Sequence, residues 1–237
     1  MNNPAEPSPS HETASQRLAE IAREGFPMSH ILDVREALSM GANPNQMASS
    51  GRSILAHACE AGKIDVVKLL LDFGALADYS ADGGPPEVSP LIAAAQTGLL
   101  AMLALLLRHD ADPSLADAYS WTPLMHATRH PECAAALLAR GASPTQASPL
   151  HKSTALMTCM RDRGHEQNLR LLQSAKLLID AGANLHAKNA KGKTALDLAE
   201  DNPMAVEFIL REIALAEAAD FSASISEAPQ RLLGPRL

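Results

Sequence analysis

Apolar positions along this chain recur at helical spacing. In Ile64-Asp65-Val66-Val67-Lys68-Leu69-Leu70-Leu71 the aliphatic residues fall on one side of a 3.6-residue period, which predicts a short amphipathic helix. The apolar run from Leu99 to Leu107 predicts another, buried on most sides. Before each comes a shorter stretch of small and aliphatic residues opening on Ser or Thr, and a Gly such as Gly62 or Gly98 between the two marks a tight turn. After the second helix the pattern switches to roughly ten polar, turn-prone residues before the next Ser or Thr, the signature of a projecting hairpin-like finger.

This alternation is periodic. A Gly-Ala element stands at Gly41, Gly74, Gly141 and Gly182, with Asp110-Ala111 continuing the series, at spacings of 31 to 41 residues. A second element interleaves with it: Ser53-Ile54-Leu55, Ser89-Pro90-Leu91, Thr122-Pro123-Leu124, Thr154-Ala155-Leu156 and Thr194-Ala195-Leu196, spaced by 32 to 40. Two motifs keeping step five times define a repeat architecture. Ser and Thr cap the start of a helix by accepting an early N–H. Pro90 and Pro123 sit at the first helical position, where a missing N–H costs nothing. Gly74 falls where a helix ends left-handed, and Asp110 is tolerable in that conformation.

These residues resemble the ankyrin repeat family, most clearly in SILAHACEAGKIDVVKLLLDFGALAD, in WTPLMHATRHPECAAALLARGASPT and in the closing TALDLA. The resemblance spans roughly residues 28 to 215 and implies an all-α ankyrin solenoid of stacked helix-turn-helix units with short fingers, about five to six repeats. The expected organisation is a disordered segment 1–13, a repeat domain 14–219 and a disordered tail 220–237. Its units are a polar-faced cap 14–45, then 46–78, 79–114, 115–145, 146–186 and 187–219. The family's His three residues after the Thr is missing; His57 and His126 fall one place later, so neither is assigned the family's loop-bracing role. Three units change length: the third finger gains Gly83-Gly84-Pro85-Pro86, the fourth is short at His130-Pro131, and the fifth gains the segment 161–167.

Composition agrees with thin helical layers. Four Phe, two Tyr and one Trp leave Ala, Leu, Ile, Val and Met to fill the interior. With 20 Lys plus Arg against 27 Asp plus Glu the net charge is −7, which disfavours a nucleic-acid binder. Three cysteines suggest a reducing compartment, no apolar run reaches the ~20 residues of a membrane span, and no Sec leader is evident, so a cytoplasmic location is expected.

Candidate chemistry is sparse. Cys59, Cys133 and Cys159 read as small packed hydrophobes. His126 and His130 share a four-residue spacing, yet zinc would need further ligands and Pro131 breaks the helix there. The stretch 151–166 holds His151, Cys159 and His165 but none of the nucleophile-elbow, phosphate-loop or zinc-helix motifs. No catalytic residue, metal or cofactor is assigned. Arg129, Arg161, Arg163, Arg170, Lys188, Lys191 and Lys193 cluster late in the chain, as a solvated face or as a local strip for an acidic partner.

The resemblance implies that fingers and first helices line a concave partner-binding surface. Its variable positions map onto Arg52 and Glu60, Gln96, Tyr119, Trp121, Arg129 and His130, His151 and Arg161, and Lys191 and Lys193. Trp121, Tyr119 and Arg129 are the residue types of binding hot spots and form the expected centre, with Arg52 and Gln96 before it and His151 and Arg161 after. The leading expectation is a non-enzymatic module that binds a partner protein and takes no small-molecule substrate. An exported bacterial effector using the same surface is the alternative, and an enzyme built on 151–166 a second one.

Overall fold

The computed structural model describes residues 9–27, 31–48, 52–78, 89–161 and 168–226. Within them the chain forms helix pairs: α1 (Pro9–Arg23) with α2 (Ile31–Ser39), α3 (Ile54–Glu60) with α4 (Ile64–Asp72), and α5 (Pro90–Thr97) with α6 (Leu100–Arg108). The series continues with α7 (Pro123–His126) and α8 (Pro131–Ala139), α9 (Ala155–Arg161) and α10 (Asn168–Asp180), and α11 (Ala195–Leu198) and α12 (Pro203–Ser226). Helices α3, α5, α7, α9 and α11 stack in one layer, and α2, α4, α6, α8, α10 and α12 in a second. The interior between the layers is aliphatic, with Leu55, Leu70, Leu91, Leu103, Leu106 and Leu124 fully buried.

Local chemistry explains each inner helix. The hydroxyls of Ser53, Ser89, Thr122, Thr154 and Thr194 accept the backbone N–H three residues on, at 3.1–3.4 Å. The outer helices α4, α6 and α8 begin at Lys63, Leu99 and His130 without a side-chain cap, so packing carries them. In the short fourth unit α7 tightens into a 3₁₀ turn, Ala127–Arg129, and His130 both ends that turn and starts α8. A 3₁₀ turn rises farther per residue than an α-helix, so fewer residues cover the same span.

The fingers close as narrow hairpins, with N–H to carbonyl bonds from Ala48 to Arg52, Asp117 to Trp121, Ser148 to Ser153 and Asn189 to Lys193. The Gly-Ala turns are tied to one another along the stack. Asn45 accepts from the N–H of Leu76 at 2.7 Å, and Asp78 from that of Asp112 at 2.8 Å. At the N-terminal end Ser15 of α1 does the same for Asn43.

Both ends differ from the sequence expectation. Helix α1 starts at Pro9, inside the segment expected to be disordered, and the His11 ring rests so closely on Gly41 that a Cβ there would come within 2.8 Å of it. Helix α12 runs to Ser226, seven residues into the expected tail, because no Gly or Pro interrupts the Ala-rich sequence until Pro229. Residues 1–8 and 227–237, the third finger with its Gly83–Pro86 insertion, and most of the fifth-unit insertion (162–167) lie outside the described residues. Among the described residues no helix is long and apolar enough to cross a membrane.

Candidate interaction surface

The fourth finger is locked from within. Asp117, only 6% exposed, points its carboxylate back into the hairpin, where Oδ1 accepts the N–H groups of Tyr119 (2.9 Å) and Trp121 (2.8 Å). Between them Ser120 takes φ +62°, a left-handed conformation that the hydrogen bonds on either side hold in place. Asn189 repeats this arrangement in the sixth unit, accepting from Lys191 and Lys193 at 2.9 and 3.0 Å. Both acceptors lie five residues before the capping Thr, a register that can be read in the sequence.

The other carboxylate oxygen of Asp117 meets Nε2 of His126 at 2.9 Å. His126 therefore braces a finger, a role its shifted position leaves unassigned in the sequence: from α7 its ring still reaches the finger root. Nδ1 of the same ring lies 3.1 Å from the Gln96 amide nitrogen on α5. A neutral imidazole with its proton on Nε2 satisfies both neighbours. His130 Nε2 bonds the Gln96 carbonyl at 3.2 Å, and its ring covers the Cα of Gly98. These contacts engage both imidazoles; among the described residues no group of three or more His, Cys, Asp and Glu is placed to hold a metal ion.

Trp121 packs half-buried on this scaffold. Its ring centroid lies 5.5 Å from that of His126 at a 43° tilt, and the Arg161 guanidinium carbon lies over its face, 5.3 Å from the centroid. An open cavity of about 330 Å³ forms beside it, lined by Trp121, Met125, His126, Thr128, Arg129, Thr158 and Arg161. Trp121, Arg129 and Arg161 are thus brought together, while Gln96 bonds the His126 ring and His130 bonds the Gln96 carbonyl, neither of them lining the cavity. Tyr119 stands apart on the finger tip, 74% exposed and outside the cavity lining.

The remaining candidates are elsewhere. Arg52 and Glu60 bond each other, with one guanidinium nitrogen 2.8 and 2.9 Å from the two carboxylate oxygens. The His151 carbonyl joins the fifth finger to the sixth through the Ala190 N–H, and Lys193 pairs with Glu200 at 3.3 Å. None of these, nor Lys191, lines the cavity. In the stretch proposed as an enzyme site, Cys159 is buried in the core at 2% exposure while His151 is exposed on the finger. Burial also raises the thiol pKa of Cys59 and, to about 11, that of Cys133.

Comparison with known proteins matches the chain to a family model, ankyrin repeats (3 copies), over residues 28–112 and 75–148. Human palmitoyltransferase ZDHHC17 is 30% identical over 202 residues, covering 70% of this chain and 30% of that protein. Human palmitoyltransferase ZDHHC13 is 26% identical over 204 residues, covering 71% and 31%. The chain therefore spans less than a third of the length of these curated relatives. Among solved structures, the human ASB11 ankyrin repeat domain superposes with a TM-score of 0.68 at 27% identity, over 87% of this chain and 98% of that one. A chain from the complex of the predatory endopeptidase Bd0816 of Bdellovibrio bacteriovorus with the immunity protein Bd3460 gives a TM-score of 0.67 at 24% identity, over 83% and 98%, a likeness of fold alone.

Proposed function

The chain belongs to the ankyrin repeat family, and on that premise we propose that it is a non-catalytic interaction module. A partner protein docks on the face built from fingers and inner helices, and Trp121, Arg129 and Arg161 form the centre of contact. The observation that carries this reading is the open cavity beside Trp121, walled by an aromatic ring and two guanidiniums on a finger rigidified by Asp117 and His126. Hot spots favour such side chains where the free surface is already ordered, because little entropy is then lost on binding. Tyr119 adds contact area at the rim. The three cysteines are buried and outside any disulfide, which suits a reducing compartment, and the cytoplasm is the location this reading takes. The transferase activity of the relatives belongs to those longer proteins and is no part of it.

The test is capture of partners from native lysate, followed by affinity measurement on the purified pair. Trp121→Ala is expected to weaken binding by about 2 kcal/mol, with little change in melting temperature because the ring is only half buried. Unaltered affinity for the captured partner, with or without loss of folding, would return Trp121 to a structural role.

A further inference from the structure

We propose that the cavity beside Trp121 receives an acidic side chain, a carboxylate carried on an extended segment of the partner protein. This rests on the interaction reading above and adds the chemistry of what the site takes.

Arg129 and Arg161 line the cavity beside Trp121, the nitrogens of His126 and the hydroxyl of Thr158 are engaged by Asp117, Gln96 and the Thr154 carbonyl, and no carboxylate is among the described residues that line it. The nearby Asp117 is already committed to two backbone N–H groups and to His126. Arg161 forms no ion pair among the described residues, and its guanidinium carbon sits over the Trp121 ring at 5.3 Å from the centroid, a cation–π contact. A cation–π contact uses none of the guanidinium's five N–H donors, so they remain for a planar anion such as a carboxylate. Covering the Arg161 guanidinium with a neutral group would desolvate its donors without replacing their hydrogen bonds, whereas a carboxylate supplies charge-assisted ones.

The surroundings favour a peptide over a polyanion. At about 330 Å³ the cavity is at the low end of small-molecule clefts, sized for a side chain projecting from a chain that lies across the face. A smaller cleft of about 30 Å³, lined by Ser153, Met157, Thr158, Arg161, Asn189 and Leu198, shares Arg161 and leads toward the sixth finger. On a chain of net charge −7 such a positive spot is local, so it selects one acidic group and offers no continuous strip for a phosphate backbone.

Trp121 is the chain's one tryptophan, so its fluorescence reports from the site itself. The probe is acetylated, amidated tetraglutamate titrated into the full chain at low salt, with tetraglutamine and a tetraphosphoserine peptide alongside. A saturable emission change with tetraglutamate, weakened by added NaCl and absent with tetraglutamine, is the expected result. Arg161→Gln is expected to weaken it at least tenfold and Arg161→Lys by less, since lysine keeps the charge but not the bidentate donors. Arg129→Gln, expected to weaken binding too, is the second variant should Arg161→Gln fail to fold. No saturable response, an equal response to tetraglutamine, full affinity in both glutamine variants, or binding of the phosphopeptide alone would each overturn the assignment. If tetraglutamate fails while Trp121→Ala still weakens the captured partner, the acidic ligand falls and the interaction reading stands. Tetraglutamate binding beside a captured partner indifferent to Trp121 gives the reverse.

Discussion

Asn45 and Asp78 stand four residues after Gly41 and Gly74, and both tie one Gly-Ala turn to the next, but they differ in chemistry. Asn45 uses both ends of its amide, accepting from Leu76 and donating to the Gly74 carbonyl. Asp78 uses one oxygen; the other is buried without a partner among the described residues. Burial raises the Asp78 pKa, the Asp112 N–H opposes that, and the Asp112 charge adds to it. A carboxyl raised in the folded state ionises first in the unfolded chain, so stability is lost as pH climbs from the unfolded pKa to the folded one. Asp78→Asn keeps the acceptor and gains a donor, and is expected to stabilise the fold at pH 7 by no more than about 1 kcal/mol, given partial exposure. Melting curves at pH 7 and pH 3 check this: the gain should shrink at the lower pH, and a loss at pH 7 would refute the account. Little of this was legible beforehand. Caps and left-handed glycines follow from residue type alone, whereas an Asx side chain that reaches the neighbouring turn depends on where the next repeat sits.

Among the elements, α11 is the one whose existence rests most on its cap. Four residues bury little, and Thr194 with Asp197 forms a reciprocal capping box: Thr194 Oγ1 accepts from the Asp197 N–H, and Asp197 accepts from both the N–H and the hydroxyl of Thr194. Hydrogen bonds from Thr194, first its backbone N–H and then its hydroxyl, hold the Asp197 pKa below its ordinary value. Its contribution is therefore present above the unfolded pKa and is lost as pH falls through the lower, folded one. Thr194→Ala is expected to cost about 1 kcal/mol at neutral pH, and less once Asp197 is protonated. Hydrogen exchange across 194–199 at neutral and acidic pH reads this directly; equal protection in variant and wild type would show packing, not capping, to hold the turn. The capping Thr is visible in the sequence. The fourth inner helix is less so, because the missing residues between Thr122 and Pro131 could be absorbed by a shorter turn or by a tighter helix, and the choice fell to the 3₁₀ turn at Ala127–Arg129.

At the scale of the molecule the site belongs to the stacking of repeats more than to any one of them. Trp121 and Arg129 come from the fourth unit, Arg161 from the fifth and Gln96 from the third. Repeat register put all four on one face but could not say that Arg161, forty residues on, lies over the indole while Tyr119, two residues away, does not join the cavity. That relation is set by how far each inner helix is displaced from the last, a packing quantity no single repeat encodes. The same nearest-neighbour logic governs stability. Each unit gains most of its burial from the units beside it, so interior units are held on two sides and terminal ones on one. Helices α5 and α6 and the start of α7 contain Leu91, Ile92, Met102, Leu103, Leu106, Leu124 and Met125, all fully buried, whereas α12 exposes Met204, Leu210 and Leu215 and is clamped to α10 by Lys176 bonding Glu212. Native-state hydrogen exchange is accordingly expected to be slowest in α5 and α6 and to quicken toward α1 and α12. Glu212→Gln should speed exchange in α12 while leaving α5 unchanged, since only the last interface loses its ion pair. Uniform protection along the chain, or a Glu212→Gln effect that reaches α5, would mean that the stack opens as one cooperative body, and the finger scaffold under Trp121 would then draw its rigidity from the whole array instead of from its neighbours.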